Sequence, residues 1–238
     1  MHTAHRLTAA AAAVTLAGAA ALGLTGCLPE SAEAFPGRPA SKVLNDSVTA
    51  LRGASSFTVS GKTVAKGVPT QVNLSISKSG ECKGTLSAQN GHIEVIRTRD
   101  HMFLRGDEAF ARAQTQGMPK EQADQMVKDA TTLWVRTDPS DRTLEGLASL
   151  CDRDGMLKTF YSLSGAERGG QTEVDGRQTL TITASKHVFL VAAEGEPYLL
   201  KATVSGPEGI DLAYTGINQP VQVDVPADKD IRDPDDMG

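Results

Sequence analysis

Three cysteines carry most of the chemistry this sequence offers. Cys27 follows Leu24, Thr25 and Gly26, so its thiol is the one good nucleophile in a neighbourhood of small side chains. Cys82 and Cys151 remain as an even pair. In an oxidising compartment an even pair reads as a disulfide. Closing a loop of about 70 residues, it would stabilise by roughly 4 kcal/mol in the chain-entropy treatment. Two free buried thiols and a metal-binding pair are the alternatives. Neither Cys-x-x-Cys nor a histidine at ligand spacing accompanies the cysteines.

Catalytic constellations are not legible. The sequence holds no Gly-x-Ser-x-Gly elbow, no His-Glu-x-x-His, no phosphate-cradling glycine loop and no dinucleotide fingerprint. His92, His101 and His187 fall at predicted hairpins or strand starts, where a turn residue is the simpler reading than a base. Carboxylates are scattered, so no acid–base pair stands out. Gly169-Gly170, after Arg168, reads as a turn rather than an anion site. The expectation is a protein that is not an enzyme, with no cofactor and no metal.

The leader sets the compartment. A short segment ending in Arg6 is followed by an uncharged run from Ala9 to Leu24, the layout of a secretory signal. This run falls short of the roughly 20 residues of a membrane-spanning helix. Leu24-Thr25-Gly26-Cys27 resembles the lipobox of bacterial lipoproteins. That resemblance implies residues 1–26 as a cleaved signal peptide, a diacylglyceryl group on Cys27 with palmitate-type chains, and residence on the outer face of the cell membrane. Two chains anchor stably, since each buried CH₂ contributes roughly 0.8 kcal/mol. No twin arginine precedes the run, which favours the general secretory route. Residues 28–40 hold three prolines and no periodicity, so 27–40 is expected to be a lipidated cysteine and flexible tether reaching about 40 Å.

Composition narrows the partners. A net charge of −5 argues against a nucleic-acid binder and against a polybasic grip on lipid head groups. Hydrophobic residues make up 39% and aromatics 4%, so the supply of large core side chains is modest for a single domain.

Periodicity then places the elements. Val43, Leu44, Val48 and Leu51 share a helical face over 42–52, with Ser41 as N-cap and Gly53 as the stop. Five strands follow to Arg105, with the alternation of Val72, Leu74 and Ile76 the clearest and Asn90-Gly91 the strongest hairpin signal. From Asp107 to Phe160 the pattern is helical, with Trp134 just after the second helix. Strands resume from Glu167 around an Asp175-Gly176 hairpin, and Val221, Val223 and Val225 are expected to close the sheet. Residues 227–238, rich in aspartate, read as a disordered acidic tail. Strand runs separated from helix runs indicate α+β. The expected domain, 41–226, is a curved antiparallel half-barrel sheet of about ten or eleven strands with helices covering the concave face.

The order of elements, with Gly195-Glu196-Pro197-Tyr198-Leu199-Leu200-Lys201, then Ala213-Tyr214-Thr215-Gly216-Ile217-Asn218-Gln219-Pro220-Val221 and Val225-Pro226, resembles the LppX/LprG-type actinobacterial lipoproteins, whose fold is shared with the LolA/LolB carriers. The resemblance covers about 41–226. It implies a half-barrel whose concave face holds the acyl chains of a lipid or lipoprotein. The pair Cys82 and Cys151 departs from that pattern and looks like a feature of a related branch. Candidate lining residues are Val72, Leu74, Ile76, Ile93, Val95, Leu180 and Ile182, with Trp134 or Phe160 from the lid. From the alternation alone these residues fit a solid core as well, in which case the fold would serve as a protein-interaction or sensing module. The expected partners are the membrane, through the lipid on Cys27, and a lipid or other apolar ligand.

Overall fold

Alternation of apolar and polar residues builds the sheet. In β2 (Val68–Ser77), Val72, Leu74 and Ile76 are buried while Gln71 and Asn73 are exposed, the period of a half-buried strand. The structure, a computed structural model, describes residues 33–65, 67–142, 145–207 and 209–233. The predicted first strands are β1 (Ser56–Ala65), β2, β3 (Cys82–Ala88), β4 (Gly91–Arg97) and β5 (Met102–Gly106). The later ones are β6 (Trp134–Thr137), β7 (Ala166–Val174), β8 (Arg177–Ala184), β9 (His187–Ala192), β10 (Leu199–Val204), β11 (Ile210–Thr215) and β12 (Ile231–Arg232). Among the described residues these form one open, curved sheet in the order β12-β6-β5-β4-β3-β2-β1-β11-β10-β9-β8-β7. All neighbours are antiparallel except β12 with β6. The fold is the α+β half-barrel expected, with two small strands added and one removed.

Register explains the division between faces. Phe57 lies opposite Ile76, Val59 opposite both Leu74 and Tyr214, and Val72 opposite Leu86, so one face is apolar across β11, β1, β2 and β3. The other face presents Ser60, Asn73, Ser75 and Thr85 from the same strands. Gly84 faces the neighbouring strand so closely that a Cβ would lie 1.9 Å from the Asn73 carbonyl oxygen. Bare backbone there lets β2 and β3 close up, which favours curvature.

Helices cover the apolar face. α1 (Ala40–Gly53) buries Val43, Leu44, Val48 and Leu51 in one cluster with Phe57, Leu74, Ile182 and Phe189 from the sheet. Its N-cap is Pro39, not the expected Ser41. At its other end the buried Arg153, first residue of α5 (Arg153–Lys158), donates through Nη2 to the carbonyls of Leu51, Arg52 and Ala54. A cation is favoured at a helix C-terminus, where carbonyls lack partners. Burial lowers the Arg153 pKa, and the Phe57 ring, 5.5 Å away, receives the guanidinium face. α2 (Glu108–Gln114), α3 (Lys120–Thr132) and α4 (Glu145–Leu150) complete the helical insert. No helix among the described residues is long and apolar enough to cross a membrane.

Three expectations are corrected at the chain ends. First, residues 34–40 are not tether: Ala34 is buried, Phe35 packs against the core, and Arg168 donates to the carbonyls of Ala34, Phe35 and Arg38. An aromatic anchor and one guanidinium fix a segment that has no regular structure of its own. Second, Val221–Val225 is not a strand. β11, which precedes it, lies between β1 and β10 in the middle of the sheet, so no free edge is available there. Instead the segment lies against the polar face, where Asp224 stands beside Lys83, Thr85 and Glu94, and the chain reaches the far edge. Third, 228–233 is ordered: a 3₁₀ turn at Asp228–Asp230 leads into β12, and Asp233 pairs with Arg136 of β6 at 2.7 Å. Residues 1–32, with the expected signal peptide and Cys27, and 234–238 lie outside the described residues.

Candidate functional site

The apolar face is filled along most of its length and leaves a hollow beside the β3–β4 hairpin. Leu86 of β3 and Ile93 of β4 form a registered pair on the covered face. Beside them a cavity of about 280 Å³ lies between the β3–β4 hairpin and two helices. Its walls are Leu86 and Ile93 below, Phe110 from α2 on one side, and Leu147 and Leu150 from α4 on the other. Thr70, Ser87, Asn90 and Gln114 supply polar groups around it. Apolar walls with a few polar groups at the margin suit an apolar ligand bound mainly by area removed from water, at roughly 25 cal/mol per Å². The volume is near the lower end of the roughly 300–1,000 Å³ usual for small-molecule sites, which suits a single tail.

Each wall is held in place by a specific device. Asp107 caps α2: its Oδ1 accepts from the Phe110 N–H at 2.7 Å, and its own N–H donates to the His92 carbonyl at 3.0 Å. Its Oδ2 lies 2.9 Å from His92 Nδ1. Partial burial opposes ionisation of Asp107, but the Phe110 and His92 hydrogen bonds outweigh it and hold the carboxyl below its usual range. α2 starts directly against Gly91, where a Cβ would lie 2.3 Å from Asp107 Oδ1. The hairpin glycine therefore also seats the helix. On the opposite wall a Cys82–Cys151 disulfide, Cα atoms 5.7 Å apart, ties the end of α4 to the first residue of β3. Arg97 Nη1 adds a hydrogen bond to the Ala148 carbonyl at 3.3 Å. The cysteine pair is thus a disulfide, and it fixes a cavity wall.

Of the candidate lining residues, one reaches the cavity: Ile93. Val72, Leu74, Ile76, Val95, Leu180 and Ile182 are buried together in the filled cluster. Phe160 follows α5 and fills that cluster, edge-on to Phe189 with ring centroids 5.4 Å apart. Trp134 is not part of the lid. It opens β6, and because Val135 pairs with Leu104 on the covered face, alternation sends Trp134 to the opposite face. There it receives the Arg105 guanidinium at 4.5 Å, and Arg105 binds Glu94 at 2.9 Å. Trp134 also borders a polar recess of about 390 Å³ with Asn73, Lys83, Glu94 and Asp224.

The cavity walls missed in the sequence were Leu86, Phe110, Leu147 and Leu150. Leu147 and Leu150, three apart, lie on the same side of a short helix, and Phe110 with Gln114, four apart, does so on α2. That spacing is the signal that finds them. His187 binds the Ala184 carbonyl at 3.1 Å, and His101 stacks edge-on against Phe103.

No protein-family model matches the chain, and no curated protein matches it. Among solved structures the chain is similar to the crystal structure of LprF from Mycobacterium bovis, at 14% identity and a TM-score of 0.55. The match covers 79% of this chain and 97% of that one. The likeness is one of fold, and it matches the half-barrel implied by the resemblance to the LppX/LprG-type lipoproteins.

Proposed function

We propose that this protein is a membrane-anchored lipoprotein of the cell envelope that binds or carries an apolar ligand and catalyses no reaction. The lipid on Cys27 would hold it on the outer face of the membrane. One apolar tail would sit in the cavity walled by Leu86, Ile93, Phe110, Leu147 and Leu150. The cavity carries this reading: in a molecule whose other half is filled, two helices are pinned beside an apolar hollow instead of collapsing into it. Leu147→Trp tests it by filling the hollow from a half-buried helical position. Titration of a fluorescent fatty acid is expected to show at least about tenfold weaker binding by the variant, the effect of roughly 1.4 kcal/mol. Unchanged affinity would exclude this cavity as the binding site.

A second reading, a protein-interaction or sensing module on the same fold, is favoured by the filled cluster around Phe57, Phe160 and Phe189. It predicts that fatty-acid binding is absent from the unaltered protein.

A further inference from the structure

We propose that the rim of the sheet carrying the cavity is the face this protein lays against the lipid bilayer. The proposal rests on the reading of Cys27 as a lipid anchor and adds the orientation of the domain on that anchor.

Strand polarity puts the relevant parts at one end. β1 runs toward its turn into β2, and antiparallel pairing sends the β3–β4 turn, the start of α2 and the β8–β9 and β10–β11 turns to that same end. Thr70, Ser87, Ala88, Asn90 and Gly91, which border the cavity, all belong to this end. β7 also begins there, since Ala166 pairs with Ala184. Arg168 of β7 clasps the carbonyls of Ala34, Phe35 and Arg38, so the chain enters the domain at the end where the cavity lies.

The corrected tether turns this coincidence into a constraint. With Ala34 packed on the domain, the peptide steps from Cys27 to Ala34 reach at most about 25 Å, against the 40 Å expected of a free 28–40 segment. β2 alone is about 30 Å long, more than that reach, so the end of the sheet at which the chain enters is held nearer the anchor than the opposite end. The near rim also carries apolar residues suited to the interface. Val68, at the β1–β2 turn, is 46% exposed and is followed by the exposed Pro69. Exposed charges at this end are mixed, Lys62 and Lys186 against Glu108 and Glu167, so contact depends on the tether and the apolar tip and not on a cationic patch. A tail leaving the outer leaflet would then enter the cavity without crossing open water.

The test uses the full chain, made with its leader and reconstituted in phosphatidylethanolamine–phosphatidylglycerol vesicles bearing a head-group nitroxide quencher. Val68→Cys and, at the opposite end, Ser79→Cys are each labelled with the same fluorophore. The label at position 68 is expected to be quenched several-fold more than the label at 79. Flotation with the vesicles but equal or reversed quenching would overturn the orientation and leave the anchor standing. An intact mass showing no acyl group on Cys27, with no flotation, would overturn both.

Discussion

The two halves of the sheet solve the same problem differently. Around β1, β2 and β8–β11 the apolar face is closed by α1 and α5 with large side chains in direct contact: Phe57 on Tyr214 at 5.7 Å and Phe160 on Phe189 at 5.4 Å. Around β3 and β4 the covering helices α2 and α4 are tied as well by a cap, a hydrogen bond and a disulfide. The first half is stable because it is full. The second leaves a hollow between walls that are tied from outside. A binding site needs that second solution, because a cavity without external ties loses contacts and tends to close.

Deleting a core aromatic in each half should break the symmetry most visibly. Phe160→Ala is expected to cost about 3–5 kcal/mol in urea unfolding. Phe110→Ala, at a half-buried cavity wall, should cost clearly less and act mainly on ligand retention. Equal costs would mean that the second half is packed as tightly as the first.

Replacing both Cys82 and Cys151 by serine comes next, at about 2–4 kcal/mol. Hydrogen exchange should show the loss concentrated in α4 and β3, with α1 protected as before. Uniform loss across the sheet would show that the disulfide staples the whole fold and not one wall.

Asp107→Ala is smaller, at about 1 kcal/mol for a lost N-cap. Its pH dependence has a definite sign. The folded pKa is below the ordinary carboxylate value, so the contribution is present above that value and is lost as pH falls through and below about 3.9. The acid limb of the stability profile should therefore flatten in the variant. An unchanged limb would remove Asp107 from the account.

The filled half was the legible half. Val72, Leu74, Ile76, Leu180 and Ile182 announce their burial by strict alternation, and the helix of Val43, Leu44, Val48 and Leu51 by its stripe. The open half was named only in outline. Helices over the sheet are legible in the pattern, but Trp134 as a lid residue is not, because register decides its position: Trp134 lies one residue from Val135, and that single step puts it on the other face. Val221–Val225 shows the same limit. Its alternation is that of a strand, and only the sheet order reveals that both edges beside it are occupied. The ordering of 34–40 depends on Arg168, more than a hundred residues away, which no local pattern carries.

The central claim, that the cavity holds an apolar ligand, is tested most directly by mass spectrometry of an organic extract of the protein. A secreted form starting at Glu33, made in an actinobacterial host with the disulfide intact, avoids the anchor's own lipid. The account predicts one apolar species in stoichiometric amount, lost from the Leu147→Trp variant. An extract with no such species, repeated with the disulfide verified, would contradict it.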